Sequence, residues 1–336
     1  LDHIIRVAKE VLNGKRINNI GNESFEYRHD LPRHLTTSHY SYVKIAEGCN
    51  NNCSYCVIPS IRGPIKSRPV DDIYQEVKKL ADNGVKEIIL IAQDTTQYGI
   101  DLYGQSTLVP LLEKLIEIES VEWLRLLYSY PERISDDLIE IIKDEDKICN
   151  YLDIPVQHSA DKIRSLMNRK GKRNDLITTI NKIRKKIPDI SLRTSLIVGF
   201  PGETESDFHD LKDFVKQVKF DRLGVFQFSK EEDTAAANLP HQIKENIKIK
   251  RYNEIMEIQK KISLNKNKNL IDRELNVIID EVYSDYTIGR SQYDAPEIDN
   301  QIIIYSDLAD GAMVKCKIID AFEYDLIGEK IYEFTK

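Results

Sequence analysis

The sequence predicts an α/β protein in two parts: an incomplete, TIM-like barrel of six βα units, a partial (βα)6 barrel, and after it a small all-β barrel. Three observations lead there. Short apolar runs recur from Tyr42 onward, each separated from the next by a stretch long enough for an amphipathic helix. That alternation stops near residue 270. Beyond it, segments rich in Ile, Val and Tyr alternate with polar residues and are punctuated by Gly, Asn and Asp.

The apolar runs are YVKIA, KEIILIA, WLRLLY, YLDIPV, LRTSLIV and RLGVFQF, each short and rich in branched or aromatic residues. Between them, VDDIYQEVKKLADNG, LVPLLEKLIEI and ETESDFHDLKDFVKQV carry apolar residues at helical spacing, and Gly84 stands where a C-cap glycine belongs. Six strand–helix units in succession imply a parallel sheet that has begun to close. A long polar helix is expected from about residue 243, and then about five antiparallel strands close a barrel over the last 65 or so residues. The expected division is residues 1–40 as the tail of a preceding domain plus linker, 41–270 as the partial barrel, and 271–336 as the β-barrel.

Composition narrows the function classes. Hydrophobic residues at 41% support a large core, and no run approaches the ~18 apolar residues of a membrane span. The N-terminus lacks the order of a signal peptide and an initiating Met, so a chain missing its own N-terminal part is expected; five cysteines with three clustered fit a reducing cytoplasm better than a disulfide framework. The net charge of −7 is unevenly placed: residues 271–336 hold 15 acids against 6 bases, while the remainder is close to neutral.

Three of only five cysteines fall within AEGCNNNCSYCVIPSIRGP, as Cys49, Cys53 and Cys56. A lone cysteine is usually a small buried hydrophobe, but three at fixed spacing need a further reason. Structural zinc wants four ligands, and Cys149 and Cys316 are distant, leaving His34 and His39 as the nearby alternatives. A cubane iron–sulfur cluster normally takes four thiolates. With three, one iron keeps an open position for a substrate or cofactor. The loop follows the first predicted strand, and barrel enzymes carry their chemistry at that end.

This CX3CX2C loop, with Tyr55 before the third cysteine, resembles the signature of the radical S-adenosylmethionine (SAM) superfamily. Together with LIAQDTTQYGIDLYG, LLYSYPERISDDLIE, YLDIPVQHSADKIRSLMNR, LRTSLIVGFPGETESDF and GRSQYDAPEID, it is similar to the methylthiotransferase family. The likeness is greatest to the member that modifies an aspartate of small-subunit ribosomal protein twelve. It extends from about residue 40 to the C-terminus and implies a radical SAM barrel followed by a TRAM-like domain.

The resemblance implies that Cys49, Cys53 and Cys56 ligate a 4Fe-4S cluster whose open iron is chelated by SAM. Reductive cleavage, with an electron donor such as flavodoxin or ferredoxin, would then release a 5′-deoxyadenosyl radical. Hydrogen abstraction at the aspartate β-carbon and methylthio insertion would follow. The implied SAM-binding residues are Tyr55, Gln93, Asp94, Gln157, Arg193, Gly199 and Gly202. Gln93 and Asp94 depart from the Gly-Gly-Glu type motif of many relatives, and GFPGETE also reads as a plain strand-to-helix turn with Glu203 near the helix start. His158 reads equally as a structural histidine. A second 4Fe-4S cluster, the site from which sulfur is transferred, is expected only in the family's N-terminal domain, since no cysteine precedes Cys49.

The TRAM-like tail binds RNA in tRNA-modifying relatives, and phosphate recognition needs a basic surface. A tail with net charge −9 suits a basic ribosomal protein instead, although acidity also serves solubility alone. Binding of tRNA is therefore not expected. The competing readings are a tRNA-adenosine methylthiotransferase and a non-catalytic metal-binding module of a translation complex.

Overall fold

A computed structural model describes residues 4–18 and 37–331. The chain divides into two compact units, residues 1–31 and 32–336. Within the first unit the described element is the helix Ile4–Leu12. Of the expected N-terminal remnant and linker, residues 1–3 and 19–36 lie outside the described residues.

In the second unit six strands form the partial barrel: β1 (Tyr40–Lys44), β2 (Glu87–Ile91), β3 (Trp123–Leu126), β4 (Tyr151–Asp153), β5 (Ser191–Val198) and β6 (Arg222–Gln227). All pairings are parallel. β1–β2–β3 form one sheet and β4–β5–β6 another, joined by a parallel bridge between Leu124 and Ile148. Register is direct, with Tyr40 opposite Glu87, Glu87 opposite Trp123 and Tyr151 opposite Ser191. The strands are largely buried, by helices outside and by the barrel interior within, which is why they read as apolar runs.

Helices Val70–Asp82, Leu108–Ile116 and Glu205–Val218 pack outside. Each turns one apolar stripe inward, as Ile73, Val77 and Leu80 do on the first. The last of them starts with a capping box: the Thr204 hydroxyl accepts from the Asp207 N–H at 3.2 Å, and the Asp207 carboxylate accepts from the Thr204 N–H at 2.8 Å. Gly84 adopts φ +94° just past the first helix, as its place after the apolar stripe predicts. The long helix Glu245–Lys268 packs against β6 and leads to the C-terminal barrel. Among the described residues no helix is long and apolar enough to cross a membrane.

The C-terminal barrel is closed by β7 (Glu274–Val282), β8 (Thr287–Ser291), β9 (Gln301–Ile304), β10 (Met313–Ala321) and β11 (Asp325–Lys330), in the order β8–β9–β11–β10–β7. One expectation is corrected: the β9–β11 pair is parallel, with Ile302 opposite Leu326. Antiparallel neighbours account for the other pairs, but β9 and β11 are separated by β10, so they run the same way where the barrel closes.

One stretch of the second barrel, Arg290–Asp299, reaches all six strands of the first near their N-terminal ends, alongside other contacts such as Lys86 with the Gly311 carbonyl at 2.7 Å. Glu297 accepts from the Tyr40 hydroxyl at 2.9 Å, Arg290 pairs with Glu87, and the Gln292 carbonyl accepts from Arg125 at 2.8 Å. Asp299 accepts from the Tyr151 hydroxyl at 2.6 Å and lies 3.4 Å from Arg193, while Asp294 accepts from Arg222 at 2.8 Å. Where a complete barrel would fill its own interior, this one takes a polar plug from the domain that follows.

Candidate active site at the open end of the barrel

At the opposite end, the loop after β1 carries the three cysteines. Gly48 must be glycine: it adopts φ +79°, and a Cβ there would come within 2.2 Å of the Pro64 carbonyl oxygen. The chain then turns back through a two-residue pairing of Ala46–Glu47 with Lys66–Ser67. The loop is pinned from several sides. The Cys49 N–H donates to Gly63 at 3.1 Å, the Ile65 N–H to the Asn50 side chain at 3.1 Å, and the Ser54 hydroxyl to Leu166 at 2.7 Å. Asn168 donates to the Asn52 carbonyl at 2.9 Å.

All three cysteines are half-buried, free of disulfides, and line one cavity of about 570 Å³. Burial pushes the Cys49 and Cys56 thiols up. Two donors already face the sulfurs: the Asn51 N–H at 3.5 Å from Cys49 Sγ, and the Arg169 guanidinium at 4.0 Å from Cys53 Sγ. Arg169 had no signal in the sequence. It is held flat over the Tyr130 ring at 3.7 Å and donates to the Pro155 carbonyl at 2.6 Å, so it places a fixed cation beside the middle thiol. Among the described residues, no three His, Cys, Asp or Glu side chains converge on a point where a single metal ion could sit. A cubane instead takes one thiolate at each of three iron corners, and three free thiols lining one cavity, with nearby N–H donors, fit that donor set. His34 lies outside the described residues, and His39 is turned away to Asp280 at 2.8 Å.

Of the residues expected from the sequence, the structure brings Tyr55, Gln93 and Gln157 to the cavity beside the cysteines. Burial raises the Tyr55 hydroxyl well above its ordinary pKa. Gln93 donates to Glu47 at 3.0 Å, and Gln157 sits at φ +69° just after β4.

The other four stand behind the wall. Asp94, 2% exposed, caps the turn Thr95–Gln97 and accepts from Asn51 at 2.8 Å and Arg133 at 2.7 Å, tethering the cysteine loop to the end of β2. Arg193 points not into the cavity but between two carboxylates, Asp153 at 3.0 Å and Asp299 at 3.4 Å. The carboxylate expected beside it therefore comes from the protein itself. Gly199 makes room for Lys248, whose Cγ would lie 2.4 Å from an added Cβ, and Gly202 has Leu166 as its neighbour. Glu203 accepts from the Gly199 and Phe200 N–H groups, so GFPGETE forms the strand-to-helix turn the sequence reads. His158 is fully buried and accepts from the Ala160 N–H at 3.0 Å, a structural role. Tyr128, Tyr130 and Phe226, each just after or at the end of a strand, complete an aromatic wall that the sequence did not single out.

Comparison with known proteins follows this geometry. The Radical SAM superfamily model matches residues 43–215 and the TRAM domain model residues 271–331. The chain is 49% identical over 338 residues to the ribosomal protein uS12 methylthiotransferase RimO of Clostridioides difficile (strain 630), covering 99% of this chain and 76% of that protein. It is 50% identical over 315 residues to the RimO of Geotalea uraniireducens (strain Rf4), covering 92% and 70%. Among solved structures, coproporphyrinogen III oxidase (HemN) from Escherichia coli, a radical SAM enzyme, superposes with a TM-score of 0.51 at 20% identity, over 67% of this chain and 53% of that one. At that identity the likeness is one of fold.

Proposed function

We infer function from one premise: this chain belongs to the RimO family of ribosomal protein uS12 methylthiotransferases. It is a radical SAM enzyme, and its reaction adds a methylthio group to the aspartate β-carbon of uS12. The observation that carries this reading at the level of the site is the single cavity lined by three free cysteines and an aromatic wall.

Cys49, Cys53 and Cys56 would hold the 4Fe-4S cluster, and Tyr55, Gln93 and Gln157 would contact SAM. Asp94, Arg193, Gly199 and Gly202 would shape the wall without touching it. Cluster and SAM together supply, on reduction, a radical able to take hydrogen from an unactivated carbon. This chain's own part is to hold the three sulfurs, to place Arg169 near Cys53, and to exclude water with Tyr55, Tyr130 and Ile197.

The remaining assignments belong to the same proposal. The partial barrel extends to about residue 270 and the TRAM-like barrel follows it. The second cluster, where sulfur is transferred, belongs to the family's N-terminal domain. Flavodoxin or ferredoxin is the electron donor, the setting is cytoplasmic, and the acidic tail favours a basic protein over tRNA.

The test is anaerobic reconstitution with iron and sulfide, then reduction in the presence of SAM. Release of 5′-deoxyadenosine by the chain, and its loss in Cys53→Ala, is expected. Tight zinc binding with no SAM turnover would instead favour a metal-binding module. Joined to the family's N-terminal domain in cells lacking their own enzyme, the chain should add a methylthio mass to uS12 and leave tRNA unchanged. The reverse would overturn the substrate.

A further inference from the structure

Tyr128 is bound into an unusual backbone. It follows β3 at φ +59°, a left-handed conformation that is costly for a side chain larger than glycine, yet its ring is 45% exposed along the cavity that holds the cysteines. Both of its peptide groups are clamped. Its N–H donates to Asp153 Oδ2 at 3.1 Å, and its carbonyl accepts from the N–H and hydroxyl of the buried Thr95, at 3.1 and 3.2 Å. A strained residue held this firmly at a site wall is the pattern expected of a functional constraint.

The clamp does not end at Asp153. Its other oxygen lies 3.0 Å from Arg193 Nη1, and Arg193 Nε lies 3.4 Å from Asp299 Oδ1. Asp299 is 1% exposed on its side chain and is itself fixed by the Tyr151 hydroxyl at 2.6 Å and the Ala295 N–H at 2.9 Å. Carboxylate, guanidinium and carboxylate thus form one buried chain from the C-terminal barrel to the cavity wall. A guanidinium is a rigid fork. With Nε and Nη1 each opposed by a carboxylate, its orientation is fixed, and so is the Asp153 oxygen that holds Tyr128.

We propose that Asp299 is a positioning residue for the cavity, acting through Arg193 and Asp153 to hold Tyr128 in its left-handed turn at the wall. The proposal rests on the functional reading only in taking the cavity as the SAM site; the linkage belongs to the polypeptide alone. It makes the C-terminal barrel part of the active-site machinery as well as a partner-binding module. Movement of the Arg290–Asp299 plug would be felt at Tyr128.

The experiment uses the whole chain labelled with 15N-tyrosine, without cofactors, and reads amide exchange at Tyr128. Asp299→Asn should speed it roughly tenfold or more, as expected for a weakened charge-assisted hydrogen bond, while Tyr42 in β1 is unchanged. Asp299→Glu should restore part of the protection. Tyr151→Phe removes one anchor of Asp299 without altering any charge, and should shift Tyr128 the same way by less; it serves if Asp299→Asn does not fold. Unchanged exchange at Tyr128 in either folded variant, with Asp299's own surroundings loosened, would reduce Asp299 to structural glue and overturn the proposal. In the cluster-loaded chain, Asp299→Asn should weaken SAM binding several-fold with iron content unchanged. A loaded wild-type chain that binds no SAM would refute the functional reading, and the exchange result would still decide the linkage.

Discussion

Replacing Glu87 by Gln tests how the two barrels are held together. Glu87 is fully buried at the start of β2. One oxygen accepts from Arg125 Nε at 2.7 Å and the other pairs with Arg290, which also lies 2.9 Å from Asp280. The group holds two cations and two anions, so it is neutral as it stands. Glu87→Gln removes one anion, leaving Arg290 with Asp280 and Arg125 buried against the Gln292 and Ser291 carbonyls without a carboxylate. Breaking a buried ion pair from one side costs about 3–5 kcal/mol, which corresponds to a factor of roughly 150 to 5,000 in the folding equilibrium.

Trp123, the chain's one tryptophan, is 6% exposed and pairs directly opposite Glu87 on β3, so its fluorescence reports unfolding at this junction. A urea midpoint well below wild type is expected. The double variant Glu87→Gln, Arg290→Met, which restores neutrality, should recover part of the loss, with a coupling on the order of 0.5–3 kcal/mol. There is also a pH signature. Burial alone raises the Glu87 carboxyl, but Arg290 and Arg125 outweigh it and bring the pKa below its ordinary value. A carboxyl held below its unfolded value stabilises the fold above that value, and the stabilisation fades as acid titrates through the lowered one. Wild type should therefore lose stability in acid more steeply than Glu87→Gln. A loss under about 1 kcal/mol, the range of exposed ion pairs, or additive single and double variants, would refute the argument.

Three further outcomes are expected. Cys49→Ala, Cys53→Ala and Cys56→Ala should each abolish stable iron uptake on reconstitution, whereas Cys149→Ala and Cys316→Ala should not; iron and sulfide analysis decides it. Gly48→Ala should cost about 1–2 kcal/mol from its positive φ alone and more from the contact with Pro64, and it should lower cluster yield together with the thermal midpoint. Asp94→Ala should lower the thermal midpoint, since it leaves Arg133, Asn51 and Thr96 without their buried acceptor, and free the cysteine loop, so that the reconstituted cluster is lost several-fold faster to an iron chelator, followed by visible absorbance.

Much of this was legible because it is local. Strands show as short apolar runs, since each βα unit buries its strand on both faces, and all six runs became strands. The cysteines were legible because a loop that presents three sulfurs must carry them at fixed spacing. Arg193 was misplaced for the opposite reason. Its partner Asp299 lies more than 100 residues away and in another barrel, and an arginine near a strand end says nothing of which carboxylate will face it. Arg169 and Tyr128 were silent too. One acts by stacking on Tyr130 and the other through its backbone angle, and neither leaves a pattern in residue types. The parallel closure of β9 on β11 was hidden because the sequence shows strands but not the order in which they close.

The plug also changes how the tail's acidity should be read. Of the fifteen acids between residues 271 and 336, Asp280, Asp294 and Asp299 are paired with Arg290, Arg222 and Arg193 in the interior. These carboxylates neutralise cations inside the molecule and cannot attract a partner. Glu297 is likewise engaged by the Tyr40 hydroxyl. Among the described residues, what faces outward is less acidic than the count in the sequence but keeps its sign, because Arg290 is the one base drawn into the interior with the acids. The GRSQYDAPEID stretch, part of the family resemblance, is thus explained by the barrel it fills. The proposed preference of the tail for a basic protein must rest on its exposed acids elsewhere.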